Sequence, residues 1–197
     1  MGETDERSRL AGAAMDGLAA QAGARLAPLG LVPLDELNVV DLTAELMVHE
    51  KERYPRRPLS AITRLVIHHS AASSYVGALA IARYHVLKNG WPGIGYHYVV
   101  GADGELLQVN KLETASYHCA GSNRRSVGLC LLGSFMKGME PTGPQIVAAR
   151  SLVAALLARL GLPYRAVVGH KELCSTACPG DTWDTWKAAI LGGLDAL

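Results

Sequence analysis

From residue 62 onward the apolar positions fall into short runs that switch between a strand-like and a helix-like period. ITRLVIHHS (62–70) is a β-branched apolar run of the kind buried on both faces of a sheet. Residues 76–88, VGALAIARYHVLK, carry apolar side chains at helical spacing, and Asn89-Gly90 closes them as a stop. YHYVVGADGELLQVN (96–110) alternates on either side of Asp103-Gly104, which predicts a hairpin. SVGLCLLGS (126–134) predicts another strand. Residues 142–160 predict the longest helix, opening near Thr142 and ending before Gly161. RAVVGH (165–170) predicts a strand that delivers His170 at its end, and residues 181–197 a terminal helix capped by Asp181. Strands and helices mixed in this way predict an α/β fold, a central mixed β-sheet flanked by helices.

The first 57 residues read differently. Residues 9–28 predict an Ala/Leu helix, broken by the prolines and glycine of LAPLGLVPLDEL. NVVDLTAELMVHEKERY (38–54) predicts a further helical segment, and YPRRPLS an extended linker, because proline restricts itself and the residue before it. Residues 1–57 are therefore expected as an N-terminal appendage or linker, and 58–197 as the main domain.

Composition narrows the class. A chain of 197 residues with 49% hydrophobic positions can bury a core, which argues against disorder. The 19 basic and 18 acidic residues nearly cancel, so no field points toward nucleic acid or an anionic membrane. The start, MGETDERSRL, mixes acids and bases unlike a leader, and no window approaches the roughly 18 uninterrupted apolar residues of a membrane span. The expectation is synthesis in the cytosol. Four cysteines (Cys119, Cys130, Cys174, Cys178) are too few for a secreted disulfide framework, which favours free thiols or metal ligands.

The chemistry concentrates in GHKELCSTACPG (169–180), which sets His170 and Cys178 eight positions apart. Imidazole and thiolate both suit zinc, and a catalytic zinc keeps three protein ligands with the fourth place open. His68-His69 end the first strand, where side chains alternate, so only one of the two can face a given site. Taken alone, a His pair reads as readily as surface or core, and Tyr96 reads as a packed tyrosine.

Together the segments VIHHSA, NGWPGIGYHYVVGADG, HCAGSNRRSVGLCLLG and GHKELCSTACPG resemble the type 2 N-acetylmuramoyl-L-alanine amidases, whose fold is shared with peptidoglycan recognition proteins. The likeness spans about residues 62–187 and is nearest in pattern to phage amidase-type endolysins. It implies one Zn2+ held by His68, His170 and Cys178, with peptidoglycan as substrate and partner. It places the family's tyrosine on Tyr96 and the polar residue two before the last ligand on Thr176, both implied to stabilise charge during catalysis. His118 is expected mainly to line the substrate groove, and Trp91, in the loop that anchors the strand, reads equally as a packed residue or as lining the sugar site. The bond cut would be the amide between the lactyl group of N-acetylmuramic acid and L-Ala of the stem peptide.

Other residues receive plainer readings. His69 faces away from His68 as a structural group, His97 either supports a site residue or packs in the core, His85 packs or caps within its helix, and Glu172 either orients a ligand imidazole or is an exposed acid. Cys119 and Cys174 could pair if they meet in space. Three functions fit the resemblance: a lytic enzyme of the endolysin or autolysin kind acting after release to the wall, a recycling amidase for soluble anhydro-muropeptides, or a module that binds muropeptide without cutting. A recycling enzyme would typically show an Asp as third ligand and a Glu inside SVGLCLLG. Cys178 and Cys130 occupy those places and favour the lytic reading.

Overall fold

The computed structural model of the chain describes residues 21–197. The first residues and residues 9–20 of the expected first helix lie outside the described residues. Residues 21–26 are helical, and Ala27–Leu29 tighten into a 3-10 turn that ends at Gly30.

Six strands follow: β1 (Val39–Asp41), β2 (Arg64–His69), β3 (Tyr98–Val100), β4 (Leu106–Gln108), β5 (Ser126–Leu131) and β6 (Val167–Gly169). They form one sheet in the order β1-β4-β3-β5-β2-β6. Only β3 and β4 pair antiparallel, as the hairpin around Asp103-Gly104; the other pairs are parallel. The mixed sheet with flanking helices is the expected α/β architecture.

Helix α1 (Ala78–Leu87) covers one face, and α2 (Gly143–Leu160) with α3 (Trp183–Leu191) covers the other. The strand period sorts the side chains. Leu65, Ile67, Leu129 and Leu131 point to the α2 and α3 side, while Cys130 and Val99 join the α1 cluster. β2 and β5 are consequently buried at nearly every position, since both of their faces are covered. Helix α2 opens and closes as its sequence predicts. Thr142 Oγ1 accepts from Gln145 N at 3.2 Å, and Gly161 takes the left-handed conformation at φ +63°. It is long and apolar enough to cross a membrane, but half of it is buried inside the fold.

Two local expectations fail. Residues 38–54 are not helical: Val39–Asp41 form the sheet's edge strand, and an Asx turn follows in which Asp41 Oδ1 accepts from Thr43 N and Thr43 Oγ1. The paired valines gain a partner on β4, and the Asp side chain competes for the backbone donors that a helix would need. Asp181 does not cap α3 either. Its carboxylate accepts from Lys137 N (2.7 Å) and Gly138 N (3.3 Å), fixing the turn beyond β5, and Thr182 stands at the cap position.

Candidate metal centre

β2 and β6 run parallel, so their C-terminal ends reach the same rim of the sheet, where the covering layers part. β2 ends in His68, turned toward the α1 side in register with Cys130, and β6 runs straight into His170. His69 takes the opposite face, where its Nδ1 accepts from Phe135 N at 3.2 Å.

The eight-residue interval between His170 and Cys178 is a closed loop. Lys171 N donates to Cys178 O at 2.7 Å, and Lys171 Nζ donates to Gly180 O at 2.8 Å. The loop therefore returns Cys178 to the side of His170. Gly180 is required just beyond, because it sits at φ +130° and a Cβ there would collide with Phe135 O.

His68, His170 and Cys178 each bring one donor atom into a group whose members all lie within 4.8 Å of one another. Cys178 Sγ stands 3.6 Å from His68 Nδ1. At zinc's usual bond lengths, about 2.05 Å to nitrogen and 2.3 Å to sulfur, a tetrahedral ion spaces two such ligands about 3.6 Å apart. The donor set and this spacing fit a tetrahedral metal.

A chain of hydrogen bonds sets the tautomer of His68. Ser126 Oγ donates to Ser122 O at 2.8 Å, so it accepts from His118 Nε2 at 3.2 Å. His118 Nδ1 then carries the lone pair and accepts from His68 Nε2 at 3.0 Å. His68 Nδ1 is left unprotonated on the side of Cys178. Burial pushes His118 down to about 3 and, together with the neighbouring His118 and His170, holds His68 well below the ordinary imidazole range. Burial lowers His170 as well. The two candidate imidazole donors are thus neutral at physiological pH, the form that binds metal. Burial raises the Cys178 thiol to about 12, so a cation that took it as thiolate would release its proton. Room for His118 is made by Gly128 on β5, since a Cβ there would come within 2.6 Å of the imidazole.

These residues border a cleft of about 380 Å³, along with Trp91, Tyr96, Tyr117 and Thr176. Tyr96 stacks obliquely on His68 with ring centroids 5.3 Å apart. Burial, then the neighbouring Cys130 and Cys178, hold its phenol well above the ordinary range, so it stays protonated. Thr176 is exposed at the mouth. Its Oγ1 accepts from Cys178 N at 3.2 Å, which leaves the hydroxyl proton free to be donated. Trp91 packs its ring 4.7 Å from that of His85.

Other groups lie where sequence alone gave little guidance. Glu172 touches no candidate ligand; Oε1 accepts from Gly169 N at 2.8 Å and Trp183 Nε1 at 2.6 Å, and Lys187 caps the carboxylate, tying α3 to the turn that carries His170. His97 is core: its Nδ1 accepts from Gly128 N at 3.0 Å. His85, on α1, reaches Gly95 N at 3.0 Å and so steadies the segment that presents Tyr96. Arg57, 3% exposed, was invisible as a core residue in YPRRPLS. It donates to Leu112 O, Asn123 O and Ser126 O and fastens the loop bearing His118. Cys119 and Cys174 do meet, as thiols with their sulfurs 3.6 Å apart.

Comparison with known proteins agrees with this architecture. The chain is 30% identical over 145 residues to peptidoglycan-recognition protein SC2 of Drosophila simulans, covering 66% of this chain and 78% of that protein. It is 32% identical over 120 residues to a human N-acetylmuramoyl-L-alanine amidase, 56% of this chain but 21% of the human one. The solved endolysin of the Thermus scotoductus bacteriophage Ph2119 superposes with a TM-score of 0.66 at 25% identity, covering 77% of this chain and 98% of the endolysin. The N-acetylmuramoyl-L-alanine amidase family model matches residues 58–181, and the chain belongs to that family.

Proposed function

We propose that the protein is a zinc-dependent N-acetylmuramoyl-L-alanine amidase with a lytic role on polymeric peptidoglycan. The observation that carries this reading is the convergence of His68, His170 and Cys178 at the open rim of the sheet, with sulfur and nitrogen at the spacing of a tetrahedral ion. These three residues would hold the zinc. When bound, zinc supplies Lewis acidity and a water acidified to a pKa of about 7.

The chain's own groups supply the rest. The Tyr96 phenol, protonated and beside His68, donates a hydrogen bond to the oxygen that gains charge when the amide carbonyl is attacked. The free Thr176 hydroxyl points its proton at the same charge from the loop side. It cannot act as a strong acid, so its part is stabilisation. His118 fixes the orientation and tautomer of His68 through Nδ1. Trp91 and Tyr117 give the cleft an aromatic wall suited to the face of a sugar or the methyl of L-Ala. The lytic rather than recycling role is supported by Cys178 and by the buried, uncharged Cys130 at the position where a recycling enzyme would carry a carboxylate. It also draws on the likeness to a phage endolysin.

The test is digestion of purified peptidoglycan with and without chelator, read by mass spectrometry. Stem peptides beginning with L-Ala, lost on chelation and restored by Zn2+, are expected. Cleavage confined to soluble anhydro-muropeptide would give recycling instead. Binding without cleavage of either would leave a recognition module, as the name of the Drosophila relative suggests for that protein.

A further inference from the structure

His170 belongs to two groups of soft ligands. Besides His68 and Cys178, it stands with Cys119 and Cys174, and those three donor atoms also lie within 4.8 Å of one another. The sulfurs of Cys119 and Cys174 are 3.6 Å apart, far beyond the roughly 2.05 Å of a disulfide. Two thiolates on one tetrahedral zinc ion stand about 3.8 Å apart for a metal–sulfur bond near 2.3 Å. Both cysteines are held in place. Asn123 Oδ1 accepts from Cys119 N at 2.8 Å, and Cys174 N donates to His170 O at 3.1 Å, one turn after the shared histidine.

We propose that Cys119, Cys174 and His170 form a second site for a soft divalent ion, overlapping the first at His170. Two thiolates and one imidazole suit Zn2+ and Cd2+ and leave a coordination place to solvent on the side of the half-exposed Cys174. His170 is common to both groups, so the second equivalent binds more weakly than the first, but each ion keeps ligands of its own and both sites fill at saturation. The inference rests on the proposed function only in taking His68, His170 and Cys178 as the first site.

The experiment titrates the full reduced chain, stripped of metal and kept from oxygen, with Cd2+ while the near-ultraviolet thiolate-to-cadmium band is read. The wild type should saturate at two equivalents with the intensity of three thiolates. Cys119→Ser with Cys174→Ser should bind one equivalent with a third of that intensity, and Cys178→Ser should keep two thirds. Wild-type saturation at one equivalent, or an undiminished band in the double variant, would overturn the second site. An undiminished band in Cys178→Ser alone would instead overturn the first. The wild type supplies a measurement free of any folding defect: Cd2+ should shield Cys174 from alkylation by iodoacetamide, located by peptide mass. Equal alkylation with and without Cd2+ sinks the proposal.

Discussion

The two faces of the sheet are built from alternate residues of the same strands, and they do different work. On the α2 and α3 side, Leu65, Ile67, Leu129 and Leu131 meet Leu152, Leu156, Trp183 and Trp186 in a continuous apolar layer. That layer even buries Trp186 Nε1 without a hydrogen-bond partner. On the α1 side the apolar cluster is smaller, and the strand ends carry His68, Cys130 and the hydrogen-bonded histidines instead. Hydrophobic burial of one face holds the other in place. Polar groups can then converge at the open end of the second face, where the buried His68 and His118 bond each other and His118 bonds Ser126.

The sharpest way to test that division is to cut each face once. Cys178→Ala should lose the zinc equivalent held with His68 and should lose metal-dependent cleavage, by at least the about 10²- to 10³-fold that loss of one transition-state stabiliser costs. Its metal-free form should melt close to the metal-free wild type. Leu156→Ala, fully buried under the sheet, should do the reverse. It should cost about 2–5 kcal/mol of stability while the folded fraction keeps zinc. The measurements are metal content after dialysis and denaturant unfolding, both in each variant. A Cys178→Ala protein that kept its zinc and activity would break the assignment of the candidate ligand.

Much of the apolar face was legible because period and punctuation agree: Thr142 and Gly161 bound α2, and Asp103-Gly104 turns the hairpin. The candidate metal group was legible in part. Alternation in VIHHS allows only one histidine inward, but nothing local says which, and the resemblance chose His68. What escaped is what depends on tertiary partners. Val39-Val40 become a strand only because β4 offers an edge, and Arg57 is buried only because three carbonyls converge on it. Spacing leaves Glu172 open between a partner of a ligand imidazole and an exposed acid, and the indole of Trp183 and the ammonium of Lys187 claim it from a helix that sequence distance hides.

Within the polar face, His118 should matter through His68 rather than through substrate. Removing it as His118→Ala leaves His68 Nε2 without an acceptor and should weaken zinc binding about 10- to 100-fold, measured by competition with a coloured chelator. His118→Gln, whose amide oxygen can accept from the same N–H, should recover part of the loss. If both variants bound zinc like the wild type while KM alone rose, His118 would be a groove residue after all.

An effect on stability rather than on metal binding is expected from His85, which bridges the α1 layer and the segment before β3. Its Nδ1 accepts from Gly95 N, which requires the unprotonated nitrogen, and burial lowers its pKa to about 4. The unfolded chain, with a histidine pKa near 6.5, takes up this proton first as the pH falls. Its contribution is therefore complete above about pH 6.5 and lost as the pH drops through 4, a difference of about 1–3 kcal/mol. His85→Gln keeps an acceptor for Gly95 N–H but does not titrate. Urea unfolding in chelator at pH 7 and pH 4 should show the variant losing less stability than the wild type across that interval. The other buried histidines titrate in both proteins and cancel in the difference. Parallel profiles would mean that the imidazole is already accommodated as a cation, and that the Gly95 bond does not hold Tyr96 in place.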